Sequence, residues 1–327
     1  MFKLLRTAVV LMGLGSTSWL VMQMLGIDSL EELKSRLVTT SGAVTPVQAP
    51  VAAAQRDVIR IATFNIQVFG QEKMRKPHVM AAIANICARF DLVAIQEIRS
   101  QAQDVLPALV QQINSLGHQY DYVIGPRQGR TASKEQYGYV FNTATIEVDR
   151  RTVAPVVDPH DLLHRPPLVA AFRARGAPPE EAFTFTLVNV HTDPDEAIEE
   201  INVLDDVYYA VRYDGRGEDD IILLGDFNAG PRQFTAFAGV PYLAWVIENE
   251  PTNTRRTHLL DNIIYHRQAT TEFTGAGGVF DMMQELGLTE QQALEISDHL
   301  PVWAEFSVYE GGTAAQLARM QAGQRGT

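Results

Sequence analysis

Apolar and polar residues alternate over positions 58–65, the period-2 pattern of a half-buried strand. Val79, Ile83, Ile86 and Phe90 then recur at helical spacing, and 92–95 is a short apolar run of the kind a buried strand makes. Leu106, Leu109, Val110, Ile113 and Leu116 predict a second helix. Positions 120–124, 137–141, 168–172 and 183–191 predict strands. Asp193-Pro194 supplies an N-cap and first-turn pair for a helix carrying Ile198, Ile201, Leu204, Tyr208 and Val211. Strands at 221–226, 260–264 and 302–309 complete the pattern. Strands and helices mix without strict alternation, which predicts an α+β fold: two mixed sheets packed together with helices outside, a four-layer α/β/β/α sandwich.

Both ends of the chain read differently. Residues 1–26 start with Lys3 and Arg6 and continue into two apolar runs split by Ser16-Thr17-Ser18. The whole is long enough to span a bilayer and also fits a signal peptide. Ala52-Ala53-Ala54 lies too far beyond it for a cleavage site. The segment is read as an uncleaved membrane anchor, with a cleaved signal as the alternative. Either places the rest of the chain outside the cytoplasm, at the membrane or in the periplasm or medium. Residues 27–56 form a linker of Ala, Thr, Val and Pro with a short amphipathic helix at 30–37. The domain spans 57–309, and 310–327 is a polar tail.

Composition narrows the function. The 327 residues are 46% hydrophobic and 20% charged, enough for a large core and too few charges for a disordered chain. The net charge of −12 argues against a passive nucleic-acid coat, which needs a basic face, but not against an enzyme whose carboxylates hold a cation. The single cysteine, Cys87, sits in a helical apolar pattern. It excludes an intramolecular disulfide and a cysteine-rich zinc site.

One feature recurs: apolar strands end in polar residues. Asn65, Glu97, His191, Asp226 with Asn228, Asp261 and Asp298-His299 all stand where a strand begins or ends. One such residue is a turn residue more often than not; six such ends in one chain predict a shared rim. The residue types suit phosphodiester hydrolysis. Glu97, Asp298 and Asn65 are hard oxygen ligands for a divalent cation. His191 and His299 can carry protons near neutral pH, and Glu135 and Asp261 are available to fix their tautomers.

IATFNIQVFG at 61–70, QEIR at 96–99, GDFNA at 225–229 and SDHLP at 297–301 together resemble the endonuclease/exonuclease/phosphatase superfamily. GRTASKEQY at 129–137, the 191–204 segment and ALEISDH at 293–299 resemble its deoxyribonuclease I-like branch, in the same order along 57–309. The resemblance implies a nuclease acting on DNA, with Mg²⁺ (or Mn²⁺) held by Glu97, Asn65 and Asp298. It implies pairs His191–Glu135 and His299–Asp261, with His299 as base and His191 as acid. Asp226 and Asn228 would orient the phosphate or nucleophile, or hold a second cation, and Arg99 and Arg130 would approach the minor groove. It also points to a structural Ca²⁺ loop at Glu250, Thr252 and Thr254, a pattern that Arg256 breaks. Ser133 stands where the branch has a groove-packing tyrosine, and Pro231 takes a disulfide position. The expected assembly is a monomer. The alternative substrate class is a lipid or inositol phosphate head group at a membrane.

Overall fold

The computed structural model describes residues 57–131 and 134–312. The expected leader, the linker, Ser133 and all but the start of the tail lie outside them. In chain order the elements are β1 (Val58–Phe69), α1 (Gln71–Met74), α2 (Pro77–Cys87), β2 (Leu92–Ile98), α3 (Val105–Ser115), β3 (Tyr120–Ile124), β4 (Gln136–Asn142), β5 (Ile146–Pro155), β6 (Leu168–Ala174) and β7 (Thr184–His191). They continue as α4 (Ala197–Ile201), α5 (Leu204–Arg212), β8 (Ile221–Asp226), β9 (Leu243–Trp245), β10 (Asp261–His266), β11 (Phe273–Val279), α6 (Met282–Leu286), α7 (Glu290–Ile296) and β12 (Val302–Ser307).

The strands form two mixed six-stranded sheets, ordered β11-β12-β1-β2-β4-β3 and β5-β6-β7-β8-β10-β9. At the centre of each is one parallel pair, β1 with β2 and β7 with β8. Their outer neighbours run antiparallel: β12 beside β1 and β10 beside β8. Strand alternation sorts the side chains into layers. Ile59, Ile61, Leu92, Ala94, Leu187, Ile222, Leu224 and Ile263 face the space between the sheets. Ala62, Phe64, Val93 and Ile95 face outward onto α2, α3 and α7. Val188, Val190, Leu223 and Ile264 face Leu204, Val207 and Tyr208 of α5 on the other side. The expected α/β/β/α sandwich is the observed one.

Several elements differ from the sequence reading. The helix expected from Pro194 starts at Ala197 and is broken between Ile201 and Leu204, and Asp193 caps a turn by accepting from Asp195 N at 3.0 Å. Edge strands β5, β9 and β11 were not expected. β5 is half exposed and carries Asp149, Arg150 and Arg151, while β11 is glycine-rich, and neither shows the pattern of a buried strand. Among the described residues no helix is long and apolar enough to cross a membrane.

Candidate active site

The same alternation that fills the inter-sheet layer builds the site. Along β1 the inward positions run Ile59, Ile61, Thr63, Asn65; along β2, Leu92, Ala94, Gln96; along β7, Leu187, Asn189, His191; along β8, Ile222, Leu224, Asp226. Each strand thus turns from apolar to polar as it nears one rim. The first polar layer is closed: Gln96 Nε2 donates to Thr63 Oγ1 (2.9 Å) and to Asn189 Oδ1 (2.6 Å), and Asn189 Nδ2 donates to the carbonyls of Ile95 and Gly138. This buried network, in which only Gln96 Oε1 lacks a partner, ties sheet to sheet directly beneath the site.

Asn65 is the next tie. Fully buried, it donates from Nδ2 to Asp226 Oδ2 at 2.9 Å and to Glu97 Oε1 at 3.3 Å, linking a carboxylate from each sheet. Glu97 is a non-glycine residue at φ +59, where β2 slips register against both neighbours, and Val68 opposite has φ +51. The strained pair is held by the Val68 N–H, which donates to Glu97 Oε2 at 2.7 Å. On the second sheet, Gly225 pairs with Val190 and Asp226 with His191. Gly225 has φ +152, and a Cβ there would stand 1.9 Å from the Val190 carbonyl oxygen. Only glycine lets β8 approach β7 closely enough to set Asp226 beside His191.

Two imidazole–carboxylate pairs face each other across Asp226. His191 Nδ1 lies 2.6 Å from Glu135 Oε1, and His299 Nδ1 lies 2.9 Å from Asp261 Oδ2. With Nδ1 committed to a carboxylate, Nε2 is the working nitrogen of each ring. Both Nε2 atoms stand 3.5 Å from the same atom, Asp226 Oδ2. Asp226 Oδ1 accepts from Asn228 N at 2.9 Å, and Asn228, at φ +47, donates its own amide to the Thr192 carbonyl. Burial alone would drive protons off the imidazoles. For His191 it is overcome by Glu135 and then Asp226, so its pKa is raised. For His299 the Asp261, Asp226 and Asp298 carboxylates overcome it more strongly and carry it up to about 10. Burial raises Glu135, but His191, Arg165 and Arg99 reverse this and hold it below the usual carboxylate range.

Four further side chains brace these groups. Arg165 is buried. It donates to the carbonyls of His191 (3.0 Å) and Thr192 (2.9 Å) and lies 3.5 Å from Glu135 Oε1. The His191 N–H donates to Tyr137 Oη at 3.0 Å. Thr252 Oγ1 donates to Asp261 Oδ2 at 2.7 Å. Lys73 is buried and donates to the Ile296 carbonyl; burial lowers its ammonium to about 8 against the pull of Asp298 and Glu97. None of these four was expected in these roles, Thr252 having been read only as part of a calcium loop. Arg165, a charge inside an HRPP run that leads into an apolar strand, was the one with a visible signal.

The two arginines expected at a groove fall in different settings. Arg99 bridges Glu97 (2.9 Å) and Glu135 (3.4 Å) inside the site. Arg130 is paired with Glu196 at 2.8 Å and with the Asp161 side chain and carbonyl, and its backbone N–H donates to His164 Nε2 at 3.4 Å. Asp298 comes 3.9 Å from His299 Nε2. In the loop expected to hold calcium, Thr252 and Thr254 are buried, and their hydroxyls are spent on Asp261 and on the Ser297 carbonyl, while Arg256 pairs with Asp281. The hydroxyls of two of the three expected ligands thus turn inward.

The donor set fits a hard divalent cation. Asn65 Oδ1 and Asp298 Oδ1 are buried oxygens without a hydrogen-bond partner. Five carboxylates (Glu97, Glu135, Asp226, Asp261 and Asp298) crowd the rim against Arg99, Arg165 and the two imidazoles, and all the candidate ligands are oxygen atoms of the kind Mg²⁺ takes.

A two-sheet sandwich with a carboxylate- and histidine-lined rim at the ends of both parallel pairs is the architecture of a phosphoesterase. The chain belongs to the endonuclease/exonuclease/phosphatase family, which matches residues 62–299, and is a hydrolase acting on phosphodiester bonds. It is 34% identical to human deoxyribonuclease-1-like 2 over 279 residues, covering 76% of this chain and 92% of that protein. It is 32% identical to rat deoxyribonuclease-1 over 259 residues, covering 75% and 90%. Among solved structures, the human Nocturnin catalytic domain superposes with a TM-score of 0.52 at 18% identity, covering 77% of this chain and 95% of that one, a likeness of fold.

Proposed function

We propose that this protein is a divalent-cation-dependent endonuclease that hydrolyses DNA phosphodiester bonds. The observation that carries the reading is the convergence of His191 Nε2 and His299 Nε2, each 3.5 Å from Asp226 Oδ2, with each ring's Nδ1 fixed by a buried carboxylate. Two proton carriers that flank one point are what in-line hydrolysis requires: one takes a proton from water while the other gives one to the leaving oxygen. His299 is assigned as base and His191 as acid; a bound cation would offset the carboxylates that hold a proton on His299 in the metal-free protein, leaving its Nε2 able to accept one. Glu135 and Asp261 orient them, and Asp226 and Asn228 orient the phosphate and the attacking water. Glu97, Asn65 and Asp298 would hold Mg²⁺, with Mn²⁺ able to replace it. The cation supplies Lewis-acid neutralisation of the phosphoryl oxygens when bound. The deoxyribonuclease relatives support DNA as substrate. Arg99, at the rim, and Arg130, farther out, are assigned to the nucleic acid. The basic, apolar 1–26 segment supports an exported protein anchored by its N-terminus, working as a monomer.

The test offers the purified full chain supercoiled plasmid, single-stranded DNA, RNA and phosphoinositide vesicles in parallel, with Mg²⁺ or with EDTA. Mg²⁺-dependent nicking of the plasmid is the expected result. Full activity in EDTA would remove the cation from the mechanism. Turnover of phosphoinositides with no cleavage of nucleic acid would replace the substrate.

A further inference from the structure

The same inter-sheet alternation has a second polar end. On β8 the inward series Leu224, Ile222 continues backwards to Asp220, six residues and about 20 Å from Asp226 along the strand. Asp220 is 1% exposed. Glu272, at the start of β11 in the other sheet, is also 1% exposed. Glu310, just past the end of β12, is half-buried. One oxygen from each of the three carboxylates lies within 4.8 Å of the others. Asp220 Oδ1 and Glu272 Oε2 are buried oxygens with no hydrogen-bond partner. The remaining contacts shape a pocket: Gly311 N donates to Glu272 Oε1 at 2.5 Å, Thr184 N donates to Glu310 Oε2 at 3.3 Å, and the Thr270 hydroxyl lies toward Asp220. Gly312, at φ +66, closes over it where a Cβ would come within 2.5 Å of the Thr271 carbonyl oxygen.

We propose that Asp220, Glu272 and Glu310 bind a calcium ion that clasps the two sheets at the rim opposite the histidines. Buried carboxylates with open lone pairs need either protons or a cation. Burial first, then their mutual repulsion with Glu310, raises both Asp220 and Glu272, as expected of a set lacking its counter-charge. The ligands are all hard oxygens drawn from two strand ends and a turn. Such an irregular set suits calcium's flexible coordination better than the strict octahedron of magnesium. The site lies apart from the Glu97 rim and does not depend on the nuclease reading.

Calcium alone is the probe. Full-length protein stripped with EDTA and dialysed is titrated with CaCl₂ by calorimetry and melted with and without it, alongside Asp220→Asn/Glu272→Gln, Glu310→Gln and Glu97→Gln. Wild type should gain on the order of 5 °C in Tm at a calcium concentration of about 100 Kd. The double variant should bind one calcium fewer per chain and lose that gain, whereas Glu97→Gln should keep it. In EDTA the order should reverse, with the double variant at or above wild type because the repulsion is gone. Glu310→Gln, at the half-exposed edge, should weaken calcium binding at least tenfold even if the double variant fails to fold. Unchanged stoichiometry and an unchanged calcium-induced shift in these variants would overturn the site.

Discussion

Replacing Asp261 with Asn removes one negative charge and almost no volume. Asp261 Oδ2 accepts from His299 Nδ1 at 2.9 Å and from Thr252 Oγ1 at 2.7 Å, and an amide oxygen can take both. What is lost is the charge that favours the imidazolium. A hydrogen bond to a charged group contributes about 1.5–3 kcal/mol against about 1 for a neutral one. The difference, at about 1.4 kcal/mol per unit, should lower the His299 pKa by roughly one unit from its raised position near 10. The amide nitrogen would replace Asp261 Oδ1, which has no hydrogen-bond partner, and a flip of the amide would turn that N–H onto His299 Nδ1, so the ring loses its enforced tautomer. An acid or base group contributes about 10²–10⁴-fold to rate, and kcat should fall by that order. Stability should barely move, because burial already disfavours the Asp261 carboxylate. The measurements are kcat against pH on plasmid DNA, ¹⁵N shifts of the histidine ring and a thermal melt. A rate within twofold of wild type would refute the orienting role. An equal loss of rate and Tm in Asp261→Asn and Thr252→Val would make the residue structural instead.

Four further outcomes follow from the same contacts. His191→Ala and His299→Ala should each lose at least about 10²-fold in kcat, and the double variant less than the product, because both act in one step; a fully multiplicative double variant would place them in separate steps. Since the folded pKa of His299 is raised, its stabilising contribution is complete below about 6.5 and is lost as pH rises toward about 10, so urea unfolding in EDTA should show stability falling across that window. His299→Gln should flatten this slope. Gly225→Ala should cost more than about 4 kcal/mol or abolish folding, since its Cβ would meet backbone that cannot yield; a variant that melts like wild type would contradict the close approach of β7 and β8. Arg130→Ala should raise KM and spare kcat, whereas Arg99→Ala, which releases Glu97 and Glu135, should lower kcat as well; identical kinetics for the two would refute their different placement.

Much of the fold was legible because the central strands are buried on both faces or alternate strictly: the runs at 183–191 and 221–226 are β7 and β8 almost to the residue. The edges were not. β5 satisfies one side of its backbone with solvent and carries charge on its exposed positions, so its pattern resembles a loop. The break at Asn202-Val203 was hidden because Ile198, Ile201, Leu204 and Tyr208 keep helical spacing across it. In the site, strand-end polar residues could be seen because polarity there interrupts an apolar run. Arg165, Tyr137 and Thr252 act through backbone carbonyls, a hydroxyl and a single carboxylate oxygen, relations that no spacing encodes. Arg130 is a further case: its sequence context matched, and the acidic partners it pairs with, Glu196 and Asp161, carried no signal of their own.

Why six distant strand ends meet at all is a matter of topology. Each sheet has a parallel pair at its centre, so the C-terminal ends of β1 and β2, and of β7 and β8, lie at one rim of their own sheet. Each pair is flanked by an antiparallel strand, β12 or β10, whose N-terminal end must then lie at that same rim. Asn65, Glu97, His191 and Asp226 are therefore end residues, whereas Asp261 is a start residue and His299 stands just before a start. The Asn65–Asp226 and Gln96–Asn189 hydrogen bonds fix the two rims against each other. By the same rule, the starts of β8 and β11 and the end of β12 meet at the opposite rim, where Asp220, Glu272 and Glu310 converge. A sandwich of this connectivity has two polar poles and an apolar waist. The proposed hydrolysis requires His191 and His299 to stay within a few ångströms of one carboxylate oxygen, so rigidity of the waist and the proposed clamp at the far pole would both bear on the geometry at the histidine rim.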